Sequence, residues 1–140
     1  MEDKNLSDLR KEFILDSEAE HADIGNLISR ILRFCKIDKQ GYVVLSNRDA
    51  KISTKIMLVL ASRYLGSKLQ QKTGEEVSIN ESIHYRDLAK MLREKEAVIA
   101  ARLKELKDDR KIVAVDAGTY RIEPYAIEQL LGEIEGVING

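Results

Sequence analysis

Residues capable of nucleophilic or metal chemistry are few in this chain and lie far apart. The sequence contains one cysteine, Cys35, and two histidines, His21 and His84. Cys35 falls on the apolar stripe of a predicted helix, which favours a buried small hydrophobe over a reactive thiol. His21 and His84 are remote in sequence, and no group of Cys and His has the spacing of a metal site. These residues therefore predict neither a nucleophile–base pair nor a metal centre.

Acidic side chains near residue 20 are the remaining candidates for chemistry. Glu18, Glu20, His21 and Asp23 could bind a cation, but a solvated acidic helix start is the more common meaning of such a cluster. The phosphate-binding and nucleophile motifs GxGxxG, GxxxxGK(S/T) and GxSxG are absent from the sequence. We therefore predict a protein that is not an enzyme and that uses no cofactor or metal.

The composition is typical of a folded domain. Of the 140 residues, 44% are hydrophobic and 34% charged, with one proline and eight glycines. A single cysteine cannot form an internal disulfide. The longest strongly apolar stretch, residues 56–61, is far shorter than the roughly 20 residues that span a bilayer. Because the N-terminal sequence MEDKNLSDLRKEF also has no apolar signal core, we expect a soluble cytoplasmic protein without a membrane segment.

Charge is distributed unevenly, although the net charge is only −1. Residues 84–121 carry 10 basic and 7 acidic side chains, and residues 51–83 carry 5 and 3. Residues 1–50 and 122–140 are net acidic. A net charge near zero argues against a protein that coats nucleic acid, but it permits a local basic face. Solvated helices of mixed charge also produce such excesses, and both interpretations stay open.

Apolar periodicity predicts helices at the start of the chain. Residues 1–16 have the pattern of a short helix, and residues 18–36 have that of an amphipathic helix whose stripe includes Leu32 and Cys35. Ser17 and Glu20 resemble a capping box at its start.

The middle of the chain contains a predicted strand and a second helix. Residues 42–45 have the character of a short strand, and residues 77–79 alternate like a very short one. A helix is predicted over residues 53–71. Because residues 56–61 are all apolar, we expect this helix to be central and buried on several sides.

The most informative segment begins with two helices separated by a polar break. The first follows Ser82 and begins with Ile83, and the break occupies residues 93–96. The second runs from Ala97 to about Arg110. On a 3.6-residue wheel its inward side chains are Ile99, Leu103 and Leu106.

A predicted hairpin and a last helix complete the chain. Residues 112–115 and 119–122 are β-prone runs on either side of a turn that contains Gly118. Pro124 then starts an amphipathic helix.

The order and spacing of these residues resemble the winged helix-turn-helix family. Members commonly show Leu-Ala in the second helix and an aliphatic residue eleven positions after that Leu, which here are Leu88-Ala89 and Ile99. Aliphatic residues follow at the spacing of the family, and residues 119–122 match the returning strand of the wing. The further matching residues are Leu103, Leu106 and Ile112. The resemblance covers roughly residues 52–123.

This resemblance implies a mainly α fold with a small β-hairpin (α+β), a winged helix-turn-helix with helical extensions at both ends. The chain also looks like small archaeal proteins in which a winged helix carries helical extensions at both ends, although this narrower likeness is weaker. We expect an N-terminal helical extension with a short strand over residues 1–49. The winged-helix domain covers residues 50–123, and a C-terminal helix covers residues 124–140.

Two turns depart from the pattern of the family. The family usually has Gly at the turn between its second and third helices and again after the third, where this chain has Arg93 and Arg110. It often has an apolar residue where this chain has Glu94. Because a non-Gly residue with positive φ costs about 1 kcal/mol, either these turns take another geometry or the angle of the third helix differs.

The resemblance implies that the third helix binds double-stranded DNA, as the recognition helix of a transcriptional regulator. Ala97, Ala101 and Lys104 face outward on this helix, and Arg102 lies on its flank. Arg102 could contact guanine, Lys104 a base or a phosphate, and the alanines thymine methyl groups. Candidate phosphate ligands lie near helix starts and around the wing: Ser82, His84, Tyr85, Arg86, Lys95, Lys111 and Arg121.

Protein–protein interaction is the alternative function. Small alanine side chains let a partner helix approach closely, and winged helices also serve as adaptors through this surface. Asp108 and Asp109 would repel phosphates near the end of the third helix. A homodimer could form through the helix of residues 18–36 or that of residues 124–138, unless both helices cap the core of their own chain. The sequence shows no pocket for an effector.

Overall fold

The computed structural model describes residues 5–7, 9 and 24–139, without the side chains of residues 137–139. Within this part the chain forms an α+β fold of five helices and two small antiparallel sheets, as predicted. The helices are α1 (Ile24–Ile31), α2 (Ile52–Thr73), α3 (Tyr85–Leu92), α4 (Glu96–Asp108) and α5 (Tyr125–Asn139). The strands are β1 (Cys35–Ile37), β2 (Val43–Leu45), β3 (Ile83–His84), β4 (Ile112–Asp116) and β5 (Thr119–Ile122).

Some predictions concern residues outside this range. Of the helix predicted over residues 1–16, only Leu6, Ser7 and Leu9 are described as helical. The capping box of Ser17 and Glu20 lies outside the described residues, as does the acidic cluster formed by Glu18, Glu20, His21 and Asp23.

Helix α2 is the centre of the fold, as its apolar sequence predicts. Ile56, Val59, Leu60 and Ala61 have no exposed surface. Every other described helix and both sheets pack against α2. The helix ends at Gly74, whose left-handed φ of 75° lets its N–H donate to the carbonyl of Gln71. One hydrophobic core therefore runs through the described residues.

The helix predicted over residues 18–36 is wrong over its last five residues, 32–36. Helix α1 ends at Ile31, Leu32 is 52% exposed, and Cys35 begins strand β1. The strand forms because β1 pairs with β2, with Cys35 opposite Leu45. The turn between them is stabilised by the Asp38 carboxylate, which accepts hydrogen bonds from two backbone N–H groups. Tertiary pairing thus overrides the helical periodicity.

The elements predicted before α3 also need correction. Residues 77–79 form no strand; instead the amides of Ser78 and Ile79 donate to the side-chain oxygen of Gln70. Ile83 belongs to β3 rather than to a helix, and α3 begins at Tyr85. The partner of β3 is β5, with Ile83 opposite Tyr120, so a strand distant in sequence decides its conformation.

The hairpin predicted after α4 is confirmed. Strands β4 and β5 pair with Ile112 opposite Ile122, and the register shifts between Ala114 and Asp116. Because β3 pairs with the other edge of β5, the sheet has the strand order β3-β5-β4.

The turns at Arg93 and Arg110 retain the left-handed conformation that glycine usually adopts, with φ of 56° and 61°. After α3, Arg93 N–H donates to the carbonyl of Lys90 and Glu94 N–H to that of Ala89. Two equivalent bonds close α4. Arg110 N–H donates to the carbonyl of Lys107, and Lys111 N–H donates to that of Leu106. Both helices thus end in the Schellman motif with arginine at the glycine position.

The outer helices pack on the chain's own core. Ile127 and Leu131 of α5 have no exposed surface, and α5 contacts both α1 and α2. The guanidinium of Arg30 joins α1 to α5, at 2.8 Å from Glu128 and 2.5 Å from Glu135. The apolar side chains of Ile127, Leu130 and Leu131 in α5 are therefore covered within one chain. No described helix combines the length and the apolarity that crossing a membrane requires.

Candidate nucleic-acid interface

Helix α4 buries one face and exposes the other, as its sequence predicts. Ile99 and Leu103 are completely buried and Leu106 is nearly so. On the opposite face Ala97, Ala101 and Lys104 are exposed. The small side chains leave the helix backbone open to a macromolecular partner. Among the described residues no ion pair or hydrogen bond engages the Lys104 ammonium, so its charge is available.

Arg102 is less available than Lys104. Its Nη1 atom lies 2.8 Å and 3.0 Å from the two carboxylate oxygens of Glu105, one turn along the same helix. Both side chains are exposed. Because the carboxylate offsets the positive charge, Arg102 must exchange this partner before it contacts a base or a phosphate. The sequence predicts the residue but not its pairing.

The start of α3 is tied to the β4–β5 turn. His84 is the N-cap of α3, and its Nδ1 accepts a hydrogen bond from the Arg86 N–H at 3.2 Å. The Tyr85 N–H donates to the carbonyl of Gly118 at 2.8 Å. Gly118 has a φ of 75°, and a Cβ atom there would lie 2.8 Å from His84 Nε2. Glycine is therefore required where the hairpin meets the helix start.

Arg86 projects from this helix start into solvent. Its guanidinium carbon lies 5.7 Å from the centroid of the Tyr85 ring, and its Nε donates to the Tyr85 hydroxyl at 3.3 Å. Lys95, the N-cap residue of α4, is also exposed and makes no side-chain capping bond. The exposed cations Arg86 and Lys95 thus mark the two helix N-termini, where the helix dipole further favours an anion.

Two predicted phosphate ligands have polar partners within the fold, and a third lines a cleft between two helices. Ser82 Oγ donates to the side chain of Asn80 at 2.9 Å, and its carbonyl accepts from Arg63. Arg121 lies 3.9 Å from a carboxylate oxygen of Glu81. Lys111 lines a small cleft between α2 and α5, away from the hairpin turn. Side chains in such settings are poor candidates for phosphate contact.

The hairpin turn carries negative charge. Asp116 is exposed and accepts a hydrogen bond from the N–H of Ala117 at 2.8 Å. No basic residue lies between Lys111 and Arg121 in the sequence. This turn is therefore unsuited to a DNA phosphate, and positive charge is concentrated on the helices.

Sequence reasoning overlooked several exposed cations on α3 and α4 and in the turns that follow them. Arg93 and Arg110 are exposed at the two left-handed turns. The arginines at both positions, where the winged-helix resemblance predicts glycine, were the signal that could have found them. The other exposed cations are Lys90 and Lys107.

A buried arginine positions the segments that precede the interface. Arg63 of α2 donates from Nη1 to the carbonyl of Gly41 at 2.7 Å and from Nη2 to that of Ser82 at 3.1 Å. Burial lowers the pKa of Arg63 from its ordinary value, and attraction to Asp87 and Asp38 opposes that shift. The contact joins the β1–β2 turn to the start of β3.

Among the described side chains, no group of three or more His, Cys, Asp or Glu residues is arranged to hold a metal ion. Cys35 is buried, with Sγ 3.0 Å from the hydroxyl of Ser62. Burial raises the pKa of this thiol, and the Ser62 hydrogen bond partly offsets the shift. A buried neutral thiol matches the interpretation of Cys35 as a small hydrophobe.

No protein-family model, curated protein or solved structure matches this chain.

Proposed function

We propose that residues 50–123 act as a winged helix that binds double-stranded DNA. The observation that carries the proposal is the outward face of α4, where exposed Ala97 and Ala101 lie beside the unpaired cation Lys104. A helix with such a face can enter the major groove of DNA without steric hindrance. The helix–turn–helix order and the strand order β3-β5-β4 support the same proposal.

Phosphate contacts supply most of the binding energy in this proposal. Arg86, Lys95 and Lys104 are exposed and form no ion pair among the described residues. Three neutralised phosphates correspond to a log–log salt slope of about −3. Neither Asn nor Gln is present in α4 to bind adenine. Sequence preference is therefore modest, and a role as a transcriptional regulator requires a second copy of the domain or deformable DNA.

A salt titration with random-sequence duplex DNA, measured by fluorescence anisotropy, tests the proposal. The unaltered chain is expected to bind at micromolar concentrations in low salt. The double variant Lys95→Ala with Lys104→Ala is expected to bind several-fold more weakly, with a slope near −1 because two phosphate contacts are lost. The control, Lys39→Ala with Lys72→Ala, removes the same charge from exposed sites away from α4 and is expected to bind normally.

The Arg102–Glu105 pair provides a second arm of the same experiment. Glu105→Gln releases Arg102 and removes a negative charge from α4, so DNA affinity is expected to rise about two- to five-fold at low salt. The gain is expected to shrink as salt is added, because screening weakens interactions between exposed charges. Glu76→Gln, on an exposed loop, is the matched control.

The acidic hairpin turn favours one alternative, an adaptor that binds a protein through the Ala97–Ala101 face. Asp116 on the hairpin turn and Glu105 on α4 add negative charge to two elements of the winged-helix proposal. On that alternative, the unaltered chain does not bind duplex DNA even at low salt. The Lys95 and Lys104 substitutions then change nothing in the titration, and the DNA proposal fails.

A further inference from the structure

A groove of about 230 Å³ lies between β2 and the turn that joins α3 to α4. Residues 42–45 form one wall, and residues 91–94 form the other. Arg48 and Lys55 complete the lining. Sites for drug-sized ligands have volumes of roughly 300–1,000 Å³, so this groove suits a smaller molecule with one ring and a short chain.

Apolar side chains form much of the groove. Tyr42 is 45% exposed and Val44 54% exposed, although both belong to or adjoin a strand. Leu45, Met91 and Leu92 are half-buried around them. A hydrocarbon body placed on these side chains would lose contact with water at both surfaces, which is the main source of affinity for a small ligand.

The charges of the groove select an anion. Of the lining residues that the structure describes, Arg48, Lys55 and Arg93 are cations and Glu94 is the one carboxylate, which lies 3.4 Å from Lys55 Nζ. Lys55 is also held by the carbonyl of Arg48 at 3.0 Å. Within the described residues neither Arg48 nor Arg93 has a carboxylate partner. Two guanidinium groups are thus left to bind a carboxylate, for which their donor geometry is well suited.

Within the described residues, strand β2 has a free edge that is too short for a peptide partner. Its sheet has two strands in the described structure. The Asp38 N–H donates to the Tyr42 carbonyl and the Ser46 N–H donates to the Phe34 carbonyl. These two bonds show which residues of β2 direct their backbone groups toward β1. The amides of Val43 and Leu45 therefore point away from β1. A strand of three residues offers few bonds to an added peptide strand, which favours a small molecule as the occupant.

We propose that this groove binds a small apolar carboxylic acid. Its hydrocarbon part packs on Tyr42, Val44 and Met91, and its carboxylate bonds to the guanidinium groups of Arg48 and Arg93. Binding itself does not depend on the DNA proposal. One consequence does rest on that proposed function. Because Arg93 lies in the turn that precedes α4, the protein with an occupied groove would differ in DNA affinity from the protein with an empty one.

The test is a titration of the whole chain, labelled with ¹⁵N, with 4-phenylbutyrate. We expect amide shift changes to concentrate at residues 42–48 and 91–94, with a Kd between about 0.1 and 5 mM for a ligand of this size. The uncharged analogue 4-phenylbutyramide is expected to bind at least five-fold more weakly, because it cannot pair with the arginines.

Two variants locate the carboxylate. Arg48→Gln and Arg93→Gly are each expected to weaken 4-phenylbutyrate binding about three- to ten-fold, and glycine suits the left-handed backbone at position 93. Arg33→Gln removes an exposed arginine outside the groove and is the control. Equal affinity for the acid and the amide overturns the proposal. An unchanged affinity of Arg48→Gln for 4-phenylbutyrate also overturns it, and so do amide shift changes confined to residues outside the groove. The titration contains no DNA, so a failure of the DNA proposal leaves its outcome unaffected.

Discussion

Two arginines occupy backbone positions where glycine is usual. Arg93 and Arg110 both have positive φ, and each closes a helix through two backbone hydrogen bonds. This conformation destabilises an L-residue with a Cβ atom by about 1 kcal/mol or more. The bonds satisfy helix carbonyls that would otherwise lack partners, and this gain holds the strained residue in place.

At the residue scale we therefore expect Arg93→Gly to stabilise the fold. The free energy of unfolding should rise by about 0.5–1 kcal/mol, because glycine removes the Cβ strain while keeping the turn. Urea denaturation followed by circular dichroism measures the change. Lys90→Gly, within α3, should instead lower the free energy of unfolding by about 1 kcal/mol, because glycine is unfavourable inside a helix. A loss of stability in Arg93→Gly would contradict this account of the turn.

At the element scale, the helices with tertiary support on a clear apolar face were predictable from sequence. The apolar run of residues 56–61 identified the central helix, and Ile99 and Leu103 identified the buried face of α4. Strands β1 and β3 were not predictable in the same way. Each has three residues or fewer, and its partner lies elsewhere in the chain. Local periodicity contains no information about such partners.

The candidate interface was predictable to a similar extent. The exposure of Ala97 and Lys104 follows from helical periodicity alone. The pairing of Arg102 with Glu105 depends on rotamers, and the position of Lys111 at a cleft between α2 and α5 depends on how distant elements pack. Sequence patterns therefore predicted which face is outward, but they did not predict which charges on it are free.

The contact between the hairpin turn and α3 makes a prediction at this scale. Gly118→Ala combines an unfavourable φ with a Cβ atom at 2.8 Å from His84, so it should lower the free energy of unfolding by about 2–3 kcal/mol. Gly74→Ala is the matched control. It has the same φ of 75° but no atom within 4 Å of the added Cβ, so its cost should be only about 1 kcal/mol. Equal losses in urea denaturation would show that the His84 contact contributes nothing.

At the scale of the whole molecule, the two ends of the described fold are joined through charge. The hydrogen bond from the Arg30 side chain holds the pKa of Glu135 below its ordinary value, and the Coulombic attraction of Arg30 acts in the same direction. The ionised carboxylate is thus favoured by folding. Its contribution to stability is present above the ordinary pKa of 4.5 and is lost as pH falls through the lower pKa of the folded state.

We therefore expect Glu135→Gln to reduce the dependence of stability on pH between about pH 5 and pH 3. Urea midpoints measured across this range should fall less steeply in the variant than in the unaltered chain, and the difference should narrow at high salt. Glu76→Gln, an exposed carboxylate without a cationic partner among the described residues, should leave the profile unchanged. Parallel profiles for the unaltered chain and Glu135→Gln would rule out this coupling of α1 to α5.

The buried Arg63 has a consequence for how this sequence can change during evolution. Both of its acceptors are backbone carbonyls, which every amino acid provides, so substitution of the Ser82 side chain would leave that bond intact. Position 41 has less freedom, because its φ of 92° is one that L side chains rarely adopt and a Cβ atom there would meet the Arg63 guanidinium. We therefore expect substitutions to be tolerated better at position 82 than at position 41. Glycine at position 41 and arginine at position 63 should be inherited together in related chains.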